Sequence, residues 1–118
     1  MSQSHLEQEF EILWKYLYPS IDLISEYKFL SNRRYRFDFV HLESKIAIEI
    51  QGGVRMRRSA HNSGDGLIRD YTKLNLALID GWRVFQLAPD MINHDWVHAI
   101  AGLIGESSRN ESRELSEV

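Results

Sequence analysis

RFDFVHLESKIAIEIQGG (residues 36–53) sets three acidic side chains and a glutamine among two apolar runs. A buried carboxylate is costly unless it is paired or bound to a cation. The period-two pattern says where these groups go. Tyr35, Phe37 and Phe39 alternate with Arg36, Asp38 and Val40, which predicts a strand with two distinct faces. Leu42 to Lys45 make a hairpin connection. Ile46, Ile48 and Ile50 then alternate with Ala47, Glu49 and Gln51 as a second strand, ended by Gly52-Gly53. Glu49 and Gln51 therefore share a face, opposite Ile48 and Ile50. In a hairpin, Asp38 reaches the same patch.

Two carboxylates and an amide carbonyl on one sheet face form a hard-oxygen site. Magnesium prefers such sites and completes its shell with water and phosphate oxygens. A cation there would lower the pKa of a bound water and offset phosphodiester charge. The competing reading pairs Asp38 with Arg36 or Arg34, and Glu49 with Lys45, as cross-strand salt bridges.

Outward from this hairpin, Ser4 and Glu7 have the form of a capping box. Leu6, Phe10, Leu13, Trp14 and Leu17 follow at helical spacing, and Pro19 stops the helix. Glu26 to Leu30 is a candidate short strand. Residues 54–66 are polar and basic, as in a surface loop. Leu67, Tyr71, Leu74, Ala77 and Leu78 predict a helix ended by Asp80-Gly81, and Trp82 to Leu87 a strand. A last helix is expected from about Met91 to Ile104, closed by Gly105. Residues 106–118 are charged and poor in apolar side chains, and are expected to be mobile or weakly helical. The pattern predicts one domain over residues 1–105 followed by a tail. Its class is α/β (α+β): a helix, a mixed sheet, a crossover helix and a C-terminal helix.

The chain has 118 residues and no cysteine, which excludes disulfides and thiolate zinc sites. No apolar run approaches a membrane span and no signal segment opens the chain, so a soluble cytoplasmic protein is expected. Net charge is −3, but it is polarised. Residues 31–73 carry nine Lys/Arg and five acids, while the remainder carries five and twelve. Such a chain can present a basic surface to phosphates, or merely a solvated charged face. His94 and His98 stand four apart on the last helix without an evident third metal ligand. Trp14, Trp82 and Trp96 are expected in packing.

Several elements fall in order: Tyr35-Arg36-Phe37-Asp38-Phe39, Glu49-x-Gln51-Gly52-Gly53, His61-x2-Gly64-x-Gly66, Asp70-x2-Lys73-x-Asn75 and Gly81-Trp82. Over about residues 4–92 this series resembles the PD-(D/E)xK nuclease superfamily, and within it the small phage and bacterial endonucleases of the very-short-patch-repair type. The resemblance implies a restriction-endonuclease-like core and Mg2+-dependent DNA cleavage, with Mn2+ able to substitute.

It also implies roles. Asp38 and Glu49 would ligate the metal together with Gln51, which stands where the superfamily usually has a lysine. Lys73 would supply the charge that Gln51 lacks, or else pair with Asp70 as an ordinary helix lysine. Glu7 matches an acidic residue on the first helix that completes such sites, with Glu9 as the fallback. His61 would act as general base or phosphate donor. Arg55, Arg57 and Arg58, with Arg34, Arg36 and Arg69, would contact DNA, although Ser63 departs from the basic residue expected there. The implied substrate ranges from branched DNA to a homing-type target site. Double-strand cutting would need a homodimer or higher homo-oligomer. The alternative is a catalytically weak DNA-binding module of the same fold.

Overall fold

The computed structural model describes residues 3–52 and 64–117, with side chains to residue 106. Helix α1, His5–Leu17, begins at Ser4, whose hydroxyl oxygen accepts from the Glu7 amide. The hydroxyl in turn donates to the Glu7 carboxylate at 3.0 Å, so Ser4 caps the helix and Glu7 bonds the Ser4 hydroxyl in place of the backbone amide that completes a capping box. Phe10 and Trp14, one turn apart, are its buried face.

Four strands follow: β1 (Ile24–Lys28), β2 (Arg36–His41), β3 (Ile46–Ile50) and, after helix α2 (Gly64–Ile79), β4 (Arg83–Leu87). They form one sheet in the order β1-β2-β3-β4. The first three are antiparallel neighbours. Strand β4 lies parallel to β3, with Glu49 opposite Gln86. A parallel return requires a crossover, which α2 supplies. Gly81, with φ of 89°, makes the sharp exit from α2 that a side chain would strain.

The apolar residues divide between the two sheet faces. Phe10, Trp14, Phe39, Ile46, Ile48 and Leu87 pack with Val97, Ile100 and Ile104 of helix α3, His94–Glu117. Phe37, Val40, Ala47, Ala77 and Trp82 make a smaller cluster on the α2 side. The structure is thus a small α+β fold, a mixed four-stranded sheet with helices on both faces.

Several expectations are corrected. The first strand lies two residues earlier than Glu26–Leu30. Phe37 and Phe39 do not share a face; they belong to different clusters, so alternation breaks at Asp38 between them. Opposite that break, Glu26 of β1 has a φ of 52°, uncommon for a side-chain-bearing residue. A short 3-10 turn, Pro89–Met91, precedes α3. Helix α3 does not stop at Gly105 but continues through the expected tail to Glu117. An interior glycine costs a helix only about 1 kcal/mol, and without a left-handed cap it does not end one. Only part of the stripe read on α2 faces the core. Ala77 is buried and Leu74 half-buried, while Leu67, Tyr71 and Leu78 are 46, 57 and 55% exposed. Trp14 and Trp82 are buried as expected, but Trp96 is partly exposed.

Candidate functional site

The β2–β3 ladder pairs Phe39 with Ile48, Val40 with Ala47 and His41 with Ile46, and goes no further. Beyond it, the Ile50 amide donates to Oδ2 of Asp38 at 2.7 Å. A side-chain carboxylate thus takes the place of a backbone carbonyl, and Asp38 stands where the two strands part. Strand β3 remains held on its other flank. Ile50 pairs with Leu87, and the Gln51 amide donates to the Leu87 carbonyl at 2.7 Å. Glu49 and Gln51 are therefore fixed by β4 while Asp38 is fixed by β3.

Lys73, on the inward side of α2, forms an ion pair with Oε2 of Glu49. The two side chains are only 20 and 14% exposed. The Lys73 ammonium also lies 5.3 Å from the centre of the Phe37 ring, a cation–π contact that fixes its position. Both competing salt-bridge readings are displaced. Lys73 pairs with Glu49 rather than Asp70, Lys45 pairs with Asp80, and Asp38 takes the Ile50 amide.

Burial pushes the Asp38 carboxyl up to about 6. The Ile50 hydrogen bond and Lys73 oppose this rise, while the negative charges of Glu7 and Glu49 add to it. Glu7, Glu49 and Lys73 thus all come within electrostatic reach of Asp38. Glu7 keeps its capping contact with Ser4 at the same time. Glu9, the fallback, instead faces His5 across one helical turn. Gly52 allows the close approach of α1 to the end of β3, since a Cβ there would lie 3.0 Å from Leu6.

An open groove of about 360 Å³ adjoins the ion pair. Glu49, Gln51 and Gln86 line it from the sheet, and Leu67, Asp70, Tyr71, Lys73 and Leu74 from α2. Asp38 and Glu7 lie outside this lining. Gln86 was not foreseen from sequence. Its signal was a polar residue between Phe85 and Leu87 on a strand parallel to β3, in register with Glu49.

Not every expected residue joins the site. Arg34 and Arg36 are exposed near the start of β2, and Arg69 is exposed on α2. Arg55, Arg57, Arg58 and His61 lie outside the described residues. His98 meets the Tyr18 hydroxyl through Nδ1 at 2.5 Å.

Among the described residues, no three His, Cys, Asp or Glu side chains form a ready-made metal cage. Magnesium is commonly held through only one or two carboxylates, with water and substrate oxygens completing its shell. Burial is the main cause of the raised Asp38 pKa, and the charges of Glu7 and Glu49 add to it; a divalent cation would offset that added negative charge. Asp38 and Glu49 thus fit such an ion, with Gln51 adjacent.

Among the described residues no helix is long and apolar enough to cross a membrane. No protein-family model, curated protein or solved structure gives a significant match to this chain.

Proposed function

We propose that this chain is a metal-dependent DNA endonuclease that hydrolyses phosphodiester bonds, selective for DNA structure, such as branched or junction DNA, rather than for long sequence. The observation that carries this reading is the meeting of Asp38, Glu49 and Lys73 where β2 and β3 part. Asp38 and Glu49 would hold the cation, through the oxygens not engaged by Ile50 and Lys73. The ion, Mg2+ or Mn2+, would polarise water and offset charge on the phosphodiester. Gln51 positions the attacking water by a hydrogen bond, since an amide cannot deprotonate it. Lys73 meets the negative charge that develops on the phosphate, the task a superfamily lysine performs from the Gln51 position. Glu7 adds negative charge behind Asp38. Basic residues of the 31–73 segment would hold the DNA backbone.

The test is a cleavage panel of linear, flapped and four-way substrates with Mg2+, Mn2+ or EDTA. Cutting is expected with either metal and not with EDTA, and it should vanish in Asp38→Asn and Glu49→Gln, which preserve size while removing an anionic oxygen. Wild-type cutting by either variant would sink the assignment.

One observation favours a second reading. Lys73 already neutralises Glu49, so the site is partly charge-balanced without a cation. A catalytically weak DNA-binding module would then bind the same panel and cut none of it.

A further inference from the structure

We propose that the groove beside Glu49 receives a single unpaired nucleotide, with its base against a wall made by Leu67, Tyr71 and Leu74. The lining of the groove is of two kinds. Glu49, Gln51 and Gln86 from the sheet, with Asp70 and Lys73 of α2, offer charge and amides; Leu67, Tyr71 and Leu74 of α2 are apolar and aromatic. Leu67, Tyr71, Leu74 and Leu78 recur at helical spacing on one side of α2. Ala77, at the edge of that side, is buried, whereas Leu67 and Tyr71 are left exposed. The volume, about 360 Å³, lies within the range of small-molecule sites, ~300–1,000 Å³.

A nucleotide has the same division. Its phosphate and sugar are polar, and its base presents an apolar π face. Stacking on an aromatic ring tolerates any base, because every base has such a face. A base inside a duplex is already stacked and shows the groove only its edge. The wall therefore selects a nucleotide that has left its stack: at a flap, a junction, a mismatch or a single strand. An apolar helix from a second copy fits the groove less well. It would cover Leu67 and Tyr71 but also desolvate the Glu49–Lys73 pair and the two amides without partners for them. The proposal rests on the nuclease reading only for the phosphate end of the nucleotide.

The test uses a short duplex carrying one unpaired 2-aminopurine, with its fully paired counterpart as reference. Fluorescence is read in EDTA and in Ca2+, where no bond is cut. Wild-type protein should change the emission of the unpaired probe and leave the paired probe nearly unaffected. Tyr71→Phe should retain the response, and Tyr71→Ala should weaken affinity roughly tenfold. Tyr71 is more than half exposed, so its truncation spares the core, and circular dichroism checks the fold. Equal responses to paired and unpaired probes, or equal affinity for Tyr71→Ala and wild type, would overturn the wall. A concentration-dependent dimer abolished by Tyr71→Ala would assign the surface to a second copy and overturn it as well. Mg2+-dependent cutting without this fluorescence response would leave the nuclease reading standing and the wall refuted. A response without cutting on any substrate would do the reverse.

Discussion

Asp38 is the residue on which most of the chemistry turns, and its titration gives a direct handle on it. The ordinary carboxyl value is 3.8, and burial raises it to about 6 in the fold. Between those values the folded chain binds a proton that the unfolded chain has released. Stability linked to Asp38 is therefore fully present below about 3.8 and is lost as pH rises through 6. Asp38→Asn removes that loss. It should stabilise the protein at pH 7 by about 1–2 kcal/mol, after a discount for partial exposure, and flatten the stability curve between pH 4 and 7. Urea midpoints across this range would decide, and a variant less stable than wild type at pH 7 would show that Asp38 is not strained by its burial. At neutral pH, Mg2+ or Mn2+ should raise the wild-type melting temperature by binding the ionised site. Asp38→Asn and Glu49→Gln should abolish most of that rise, and an undiminished rise in both would place the cation elsewhere.

At the scale of elements, the site is a junction of strand ends and one helix. Strand β3 carries Glu49 and Gln51, and α2 brings Lys73 over them. Gln51→Ala removes one hydrogen bond and should slow single-turnover cleavage modestly. Lys73→Met removes a charge from a poorly hydrated site and should slow it by about 2–4 kcal/mol in barrier height. A Lys73→Met enzyme as fast as wild type would reduce the Glu49 ion pair to a structural tie.

The alternation Ile46-Ala47-Ile48-Glu49-Ile50-Gln51 made the shared face of Glu49 and Gln51 legible in sequence, and Ser4 with Glu7 made the start of α1 legible. The break at Asp38 was not. Phe37 and Phe39 look alike in sequence, and only the break in alternation opposite Glu26 separates them into different clusters. Nor did apolar spacing alone show which side of α2 faces the sheet. Leu67, Tyr71, Leu74, Ala77 and Leu78 suggested one side, yet of these Ala77 is buried while Leu67, Tyr71 and Leu78 are exposed, and Lys73, outside the stripe, pairs with Glu49 of the sheet. Gln86 joined the site only through the parallel register with β3, a tertiary fact that no local pattern contains.

For the whole molecule, charge is the property that reaches furthest. The segment of residues 31–73 is basic within an acidic chain. Arg57→Ala and Arg58→Ala should weaken DNA binding about equally for all sequences. Each should also flatten the salt dependence by about one unit of slope for every phosphate it ceases to neutralise. A salt titration with unchanged slopes would move the DNA-binding surface away from the Arg57–Arg58 run.

The parallel pairing of β3 with β4 also bears on how the chain reaches this state. Strands β1 to β3 join through short connections and meet their partners early. Ile46 and Arg83 are distant in the chain, so their pairing waits for the crossover to close, and closing a long loop is entropically slow. Asp38 and Glu49 are brought near each other by the early hairpin, whereas Lys73 and Gln86 arrive with the crossover. Assembly of the site is thereby tied to the slowest pairing of the sheet. A chain with the hairpin formed and the crossover open would hold two neighbouring carboxylates without their lysine, and Glu49 gains its partner only when the crossover closes.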